Sequence, residues 1–205
     1  LIAARDGMSQ IFSMVKNGDG FYTDGSFLQH NFYPYNGGYG ASLIDVMADM
    51  LYILNDSPWE VTEAGVANLY TWVIDAYAPF LYKGAFMDMV RGREIARYYS
   101  GTYYTGHKIM SSILRIAQFA PEKYAKQFKS MLKYWLTADA PVSYYDDATN
   151  EEIMLAKEIV NDPNVMPMEE AEMYRQFHHM DRAVQLRKGY GVGPVSYTHL
   201  TLPTT

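Results

Sequence analysis

Apolar residues recur at helical spacing along most of the chain, and five segments follow from that pattern. Between Ala41 and Leu54 the residues Leu43, Ile44, Met47, Met50, Leu51 and Leu54 form one stripe, with Asp45, Asp49 and Asn55 turned away, which predicts an amphipathic helix. A second helix is predicted from Thr62 to Tyr77 on Val66, Leu69, Tyr70 and Val73, stopped by Pro79. A third runs from Gly106 to Phe119 through Ile109, Ile113, Leu114 and Ile116. The fourth places Pro121 in its first turn, where a missing N–H costs nothing, and continues through Tyr124, Phe128, Met131, Leu132 and Trp135. The fifth is announced by Thr149-Asn-Glu-Glu152, which suits a capping box, and runs through Ile153, Leu155, Ile159 and Val160 to Asp162-Pro163. Short connections between several of these suit antiparallel helical hairpins laid side by side, so the expected class is all-α. After Met180 the run Ala183-Val-Gln-Leu-Arg-Lys-Gly-Tyr-Gly-Val192 reads as strand, and a β-rich domain is expected to begin there.

Composition narrows the function classes. The 205 residues carry 17 basic and 23 acidic side chains, a net charge of −6, which argues against a general nucleic-acid binder because counterion release needs a basic face. Charged residues interrupt every apolar stretch before the roughly 18 residues a spanning helix needs, so no membrane helix is expected. The absence of cysteine removes disulfide scaffolds and thiolate metal sites. Nineteen tyrosines against nine phenylalanines is a skewed set, and tyrosine is the aromatic that keeps a polar handle when half buried. The chain opens at Leu1 without a signal-type segment, so targeting information is expected to lie outside it. Residues 195–205 resemble translated sequencing-adapter read-through and are expected to be an artefactual tail.

Several motif-like features have plain explanations. Asn17-Gly-Asp-Gly-Phe-Tyr-Thr-Asp-Gly25 begins like a calcium loop, but Phe21 and Leu28 stand where oxygen ligands belong, so a pair of turns is expected. Gly37-Gly-Tyr-Gly40 lacks the glycine spacing and the lysine of a phosphate loop. His178 and His179, adjacent in an extended segment, would point to opposite faces and make no joint metal site. The methionines on helical stripes are core filler.

The loop from Phe27 to Gly40 is harder to set aside, since it gathers one imidazole, His30, with Tyr33, Tyr35, Tyr39, two amides and three glycines directly before a strong helix. Tyr39 falls at the N-terminal edge of that helix, where free backbone donors and the dipole favour a phenolate or an anionic ligand. In Arg91-Gly-Arg-Glu-Ile-Ala-Arg97, a helical conformation would put Arg93 and Arg97 on one face. A short basic run is usually a solvated turn; the alternative is a guanidinium pair aimed at a carboxylate or sulfate.

Four ordered motifs carry a resemblance: Asp19-Gly-Phe-Tyr-Thr-Asp-Gly-Ser-Phe-Leu-Gln-His30, Tyr39-Gly40, Met87-Asp-Met-Val-Arg-Gly-Arg-Glu-Ile-Ala-Arg97 and Met180-Asp-Arg182. In order and spacing the chain resembles polysaccharide lyase family 8, the hyaluronate, chondroitin AC and xanthan lyases, over residues 1–194. The resemblance implies an incomplete (α/α) toroid over residues 1–180, with a β-sandwich domain starting at 181–194. It implies β-elimination at a 4-linked uronic acid of an acidic polysaccharide, giving a 4,5-unsaturated end. In that chemistry His30 holds or neutralises the uronate carboxylate, in some readings acting as the base, and Tyr39 takes the C5 proton and returns it to the leaving oxygen. A phenol with a pKa of about 10 needs cationic neighbours for that task, and Arg93 and Arg97 match the family arginines beside it. His30, Tyr39 and Arg93 are thus the expected catalytic residues, with Gln29 and Arg97 binding substrate.

The resemblance implies no cofactor or metal, a monomer, and a secreted or periplasmic protein whose partner is the acidic polysaccharide, neither nucleic acid nor membrane. Gln29-His30 and the surroundings of Arg93 lean toward the hyaluronate and chondroitin enzymes. The family asparagine lies farther upstream of His30 than this chain extends, and Asn31 and Asn36 do not replace it, so the fragment alone is expected to be impaired. Two alternatives remain open: a non-catalytic toroid that binds acidic glycans through Arg93 and Arg97, and an (α/α) toroid glycoside hydrolase using carboxylates such as Asp24 and Asp88.

Overall fold

A computed structural model describes residues 2–7 and 9–195; of the tail expected at 195–205, all but Val195 lies outside the described residues. The helices are α1 (Ile2–Gly7), α2 (Ala41–Leu54), α3 (Val66–Trp72), α4 (Thr102–Phe119), α5 (Glu122–Thr137) and α6 (Asn150–Asn161). The strands are β1 (Gly20–Phe21), β2 (Phe27–Gln29), β3 (Tyr33–Pro34), β4 (Leu81–Tyr82), β5 (Ala85–Phe86), β6 (Met173–Phe177), β7 (Arg182–Arg187) and β8 (Tyr190–Val192). They form three small antiparallel sheets, ordered β1-β2-β3, β4-β5 and β6-β7-β8. The class is therefore mostly helical rather than all-α. Strands of two or three residues are held by turns and side-chain braces and leave no period-2 signature in the sequence.

Helix α4 is the central element, packing against α2, α5 and α6, with Ile109, Met110, Ile113, Leu114 and Ile116 fully buried. Its start at Thr102 is earlier than its apolar period suggests, because the first turn carries Tyr103 and Tyr104 on a partly exposed face. Pro121 is the N-cap of α5 rather than a residue of its first turn. The capping box of α6 forms: Thr149 Oγ1 accepts the Glu152 N–H while the Glu152 carboxylate accepts the Thr149 N–H at 2.7 Å.

The predicted helix 62–77 is shorter at its start and irregular at its end. Residues 62–65 are loop and turn, α3 begins at Val66, and after Trp72 the backbone widens into a π-turn, Val73–Tyr77, then tightens to a 3₁₀ turn at Ala78–Phe80. The reason is tertiary. Trp72 stacks on Phe21 of β1 at 4.1 Å between ring centroids, and the buried Tyr77 hydroxyl donates to the Gly40 carbonyl at 2.6 Å. The widened turn starts directly after Trp72 and ends on Tyr77, so it joins the two anchored rings. Burial of side chains this large contributes roughly 2–3 kcal/mol each.

Strand structure at the C-terminal side begins at Met173, ahead of the expected change after Met180. The β6–β7 hairpin is clamped to the helical body by Arg175, which pairs with Asp75 at 2.5 Å and donates to the Asp24 carbonyl at 3.0 Å, and by Phe177 buried against Phe80. His178 and His179 lie in a 3₁₀ turn rather than an extended segment; His179 stacks on Tyr22 and meets Asp24 at 3.0 Å.

Candidate active site

The aromatic loop is built by two tight hairpins. Phe21 pairs with Phe27 across β1 and β2, and the turn between them closes through Tyr22 N–H to the Ser26 carbonyl at 2.9 Å, the pair of turns expected there. Gly25 sits at φ +91 with its Cα so close to the Asp75 carbonyl that a Cβ would lie 2.1 Å away, which demands glycine. The second hairpin pairs Gln29 with Tyr33 and leaves His30 and Asn31 at positive φ, 55° and 71°. Backbone in that region costs about 1 kcal/mol for a non-glycine residue and persists where its surroundings impose it. Asp19 imposes it here, accepting the Asn31 N–H at 2.7 Å and the Gln29 side-chain amide at 2.9 Å. Gln29, expected as a substrate ligand, is thus a brace for the His30 turn and lines neither of the site's cavities. Asn36 is fully buried and structural: it accepts the Phe27 N–H and donates to the Gly25 and Ala76 carbonyls.

Tyr39 belongs to a π-turn, Asn36–Gly40, that runs straight into α2. The helical backbone therefore begins before Tyr39, and the free donors expected at its edge are engaged: the Gly38 and Gly40 N–H groups both donate to the Tyr35 carbonyl. The cationic neighbour is a side chain instead. Arg93 Nη2 donates to the Tyr39 hydroxyl at 3.0 Å, and its guanidinium lies 5.8 Å from the ring centroid. His30 meets the Tyr39 ring edge-on, centroids 5.4 Å apart and planes at 82°.

Tyr35 holds this set together from beneath. It is buried, lies 5.1 Å from the Tyr39 ring, and its hydroxyl accepts the Arg93 backbone N–H at 3.0 Å. Gly38 and Gly92 make room for it, since a Cβ on either would fall 2.3 Å from its ring. Residues Gly92–Ala96 form a 3₁₀ turn, not an α-helix, so Arg93 and Arg97 are not stacked at α-helical spacing; Arg97 is paired with Glu94 at 3.2 Å. Arg91, absent from the expected site set, is the buried anchor of this turn, bonded to Asp88 and to the Ser100 carbonyl. Sequence offers no means of separating it from Arg93 two positions on.

Two cavities meet at Arg93. One, about 290 Å³, is walled by Gly37, Tyr39, Arg93, Arg97 and Tyr99; the other, about 520 Å³, by His30, Tyr33, Tyr35, Ile95 and Arg182. Tyr39 lines the first and His30 the second, and Arg93 lines both. Such a wall can bind an anionic group and hold a phenol against it. Among the described residues no group of three or more His, Asp or Glu side chains could hold a metal ion. The two carboxylates considered for hydrolysis are both engaged: Asp88 with Arg91, and Asp24 with Ser26 and His179. Burial pushes the Asp24 carboxyl up, but the hydrogen bonds from Ser26 and His179 outweigh it and hold the group below the usual carboxylate value.

Residues 1–134 match the family model described as polysaccharide lyase family 8, N-terminal alpha-helical domain. A xanthan lyase of Bacillus sp. (strain GL1) is 46% identical over 200 residues, covering 97% of this chain and 22% of that protein. A hyaluronate lyase of Thermasporomyces composti is 37% identical over 186 residues, covering 90% of this chain and 24% of that protein. The solved structure of Paenibacillus xanthan lyase superposes with a TM-score of 0.91 at 47% identity, covering 94% of this chain and 18% of that one. The chain spans about a fifth of the length of the curated relatives it matches. Identity is 46% to the xanthan lyase and 37% to the hyaluronate lyase.

Proposed function

The chain belongs to polysaccharide lyase family 8, and from that premise we propose that the protein it forms part of cleaves a uronic-acid-containing polysaccharide by β-elimination. In this reading the helical hairpins are part of an incomplete (α/α) toroid, the C-terminal sheet opens a β-sandwich domain, and the protein acts outside the cytoplasm as a monomer. No helix among the described residues is long and apolar enough to cross a membrane.

The observation that carries the proposal is the Arg93–Tyr39 contact at 3.0 Å with the His30 ring set edge-on against Tyr39. Elimination removes the proton on C5 of the uronate, which is acidic enough only when the neighbouring carboxylate is neutralised. Tyr39 as phenolate takes that proton; the freed electron pair forms the C4=C5 double bond as the C4–O bond breaks. The Tyr39 hydroxyl then returns a proton to the leaving glycosidic oxygen. Arg93 steadies the phenolate, while His30 and Arg97 face the carboxylate from either side. An acidic protein can handle an acidic polymer this way because the positive field is local to the cavity wall. The test is direct: the full-length protein, given xanthan, hyaluronan or chondroitin, must form product with the ultraviolet absorbance of a conjugated 4,5-unsaturated uronate. New reducing ends without that absorbance would identify a hydrolase, and binding without either product a non-catalytic glycan-binding domain.

A further inference from the structure

The chain contains two Asn-Gly steps, Asn17-Gly18 and Asn36-Gly37, and the structure treats them in opposite ways. An asparagine followed by glycine is the step most open to succinimide formation, because no side chain on the glycine hinders its backbone nitrogen from reaching the asparagine side-chain carbonyl. Asn36 is shielded from this: it is fully buried, its amide nitrogen donates to the Gly25 and Ala76 carbonyls, and its oxygen accepts the Phe27 N–H. Asn17 has no such protection. It and Gly18 are exposed in the bend before β1, and among the described residues neither the Asn17 side chain nor the Gly18 N–H has a hydrogen-bond partner. Gly18 stands at φ +76 with open space where a Cβ would lie.

The exposed step adjoins the brace of the His30 turn. Asp19 accepts the Asn31 N–H at 2.7 Å and the Gln29 side-chain amide at 2.9 Å, and the Gly18 carbonyl accepts the Tyr22 hydroxyl at 2.7 Å. The loop that carries both is closed at its base, where the Val15 N–H donates to the Phe21 carbonyl at 2.8 Å and Gly20 pairs with Leu28. Gly20 leaves it no slack: at φ +135 it lies so near Val15 that a Cβ would fall 2.9 Å from Val15 Cγ1. An atom added to the backbone between such fixed ends moves Asp19 off the Asn31 N–H, the bond that keeps His30 and Asn31 at positive φ.

We propose that Asn17-Gly18 is a deamidation site whose isoaspartate product loosens the His30 turn. The Gly18 nitrogen attacks Asn17 Cγ; the new N–C bond closes a succinimide as the bond from Cγ to the amide nitrogen breaks, and the Gly18 proton leaves with that nitrogen as ammonia. Water then opens the ring. Breaking the new bond gives aspartate; breaking the original peptide bond gives isoaspartate, with one more methylene in the main chain. The step needs no lyase chemistry, so its test stands apart from turnover. The full-length protein is held in mildly alkaline buffer, then digested with chymotrypsin, which separates the two steps at Phe21, Tyr22 and Phe27. The peptide carrying Asn17 gains the mass of an amide turned to an acid and accepts methyl groups from protein isoaspartate methyltransferase, and the one carrying Asn36 does neither. An unmodified Asn17, or equal conversion at both steps, overturns the site. In the isoaspartate fraction hydrogen exchange across Gln29–Phe32 quickens about tenfold. Fresh Asn17→Asp, which has the charge without the methylene, exchanges like the unaged protein, and Asn17→Gln stays protected throughout the incubation. Unchanged exchange in the isoaspartate fraction, or equally fast exchange in Asn17→Asp, overturns the link to His30. Turnover falls in step with isoaspartate in the wild type and holds in Asn17→Gln; equal losses in the two also overturn that link. Quickened exchange in a protein that forms no unsaturated product leaves the modification standing and refutes the lyase reading alone.

Discussion

Replacing Arg93 by Ala removes the cation that touches the Tyr39 hydroxyl, and the size of the effect follows from the geometry. A full charge on the hydroxyl oxygen 3.0 Å from Nη2 would interact with the guanidinium by ~1.4 kcal/mol in bulk water and ~5.5 kcal/mol at an effective dielectric of 20. Tyr39 is 38% exposed on an open cavity wall, so solvent screening draws the value toward the lower part of that range, about 1.5–3 kcal/mol. At 1.36 kcal/mol per decade this is a loss of roughly 10- to 100-fold in kcat. The assay is initial rate from the ultraviolet absorbance of the unsaturated product, with kcat and KM resolved in the full-length protein and thermal unfolding as a control. Arg97→Ala is the comparison, because Arg97 pairs with Glu94 and makes no hydrogen bond to Tyr39; it raises KM and leaves kcat within about threefold. An Arg93→Ala enzyme that keeps kcat within twofold would refute the assignment of the 3.0 Å contact to the chemical step.

Two further predictions concern what holds the site. Asn36→Ala strands three buried backbone groups and costs about 3 kcal/mol, read as a drop in the denaturation midpoint; a change below about 0.5 kcal/mol would contradict the structural role. Burial pushes the Glu152 carboxyl up, but the Thr149 N–H and hydroxyl, the Ser111 hydroxyl and the Arg115 charge outweigh it and hold it below the ordinary glutamate value. Because the folded-state pKa is depressed, its stabilisation is fully present above the unfolded value of about 4.3 and is lost as pH falls through the folded value. Thermal unfolding from pH 7 to 3 should therefore show a steeper acid loss in the wild type than in Glu152→Gln, and parallel curves would refute this.

The helices were legible where local chemistry decides them. The stripe through Ile44, Met47 and Leu51 and the Thr149–Glu152 box depend on neighbours within a turn or two, and both appear as expected. The π-turns at Val73 and Asn36 were not, because Trp72, Tyr77 and Tyr35 find their partners far along the chain. The same holds within the site. His30, Tyr39, Arg93 and Arg97 stood out as chemically unusual residues, and the structure sets His30 and Arg93 against Tyr39. Their supports did not stand out: Asp19 beneath the His30 turn, Tyr35 under Arg93 and the buried Arg91 each act across contacts no spacing rule encodes.

Everything in the functional account passes through the Tyr39 hydroxyl, so Tyr39→Phe in the full-length protein tests it most directly. Loss of the proton-transferring group should lower kcat by a factor on the order of 10²–10⁴, with polysaccharide binding kept within a few-fold because Arg93, Arg97 and His30 remain. Formation of the unsaturated product within tenfold of the wild-type rate would contradict it.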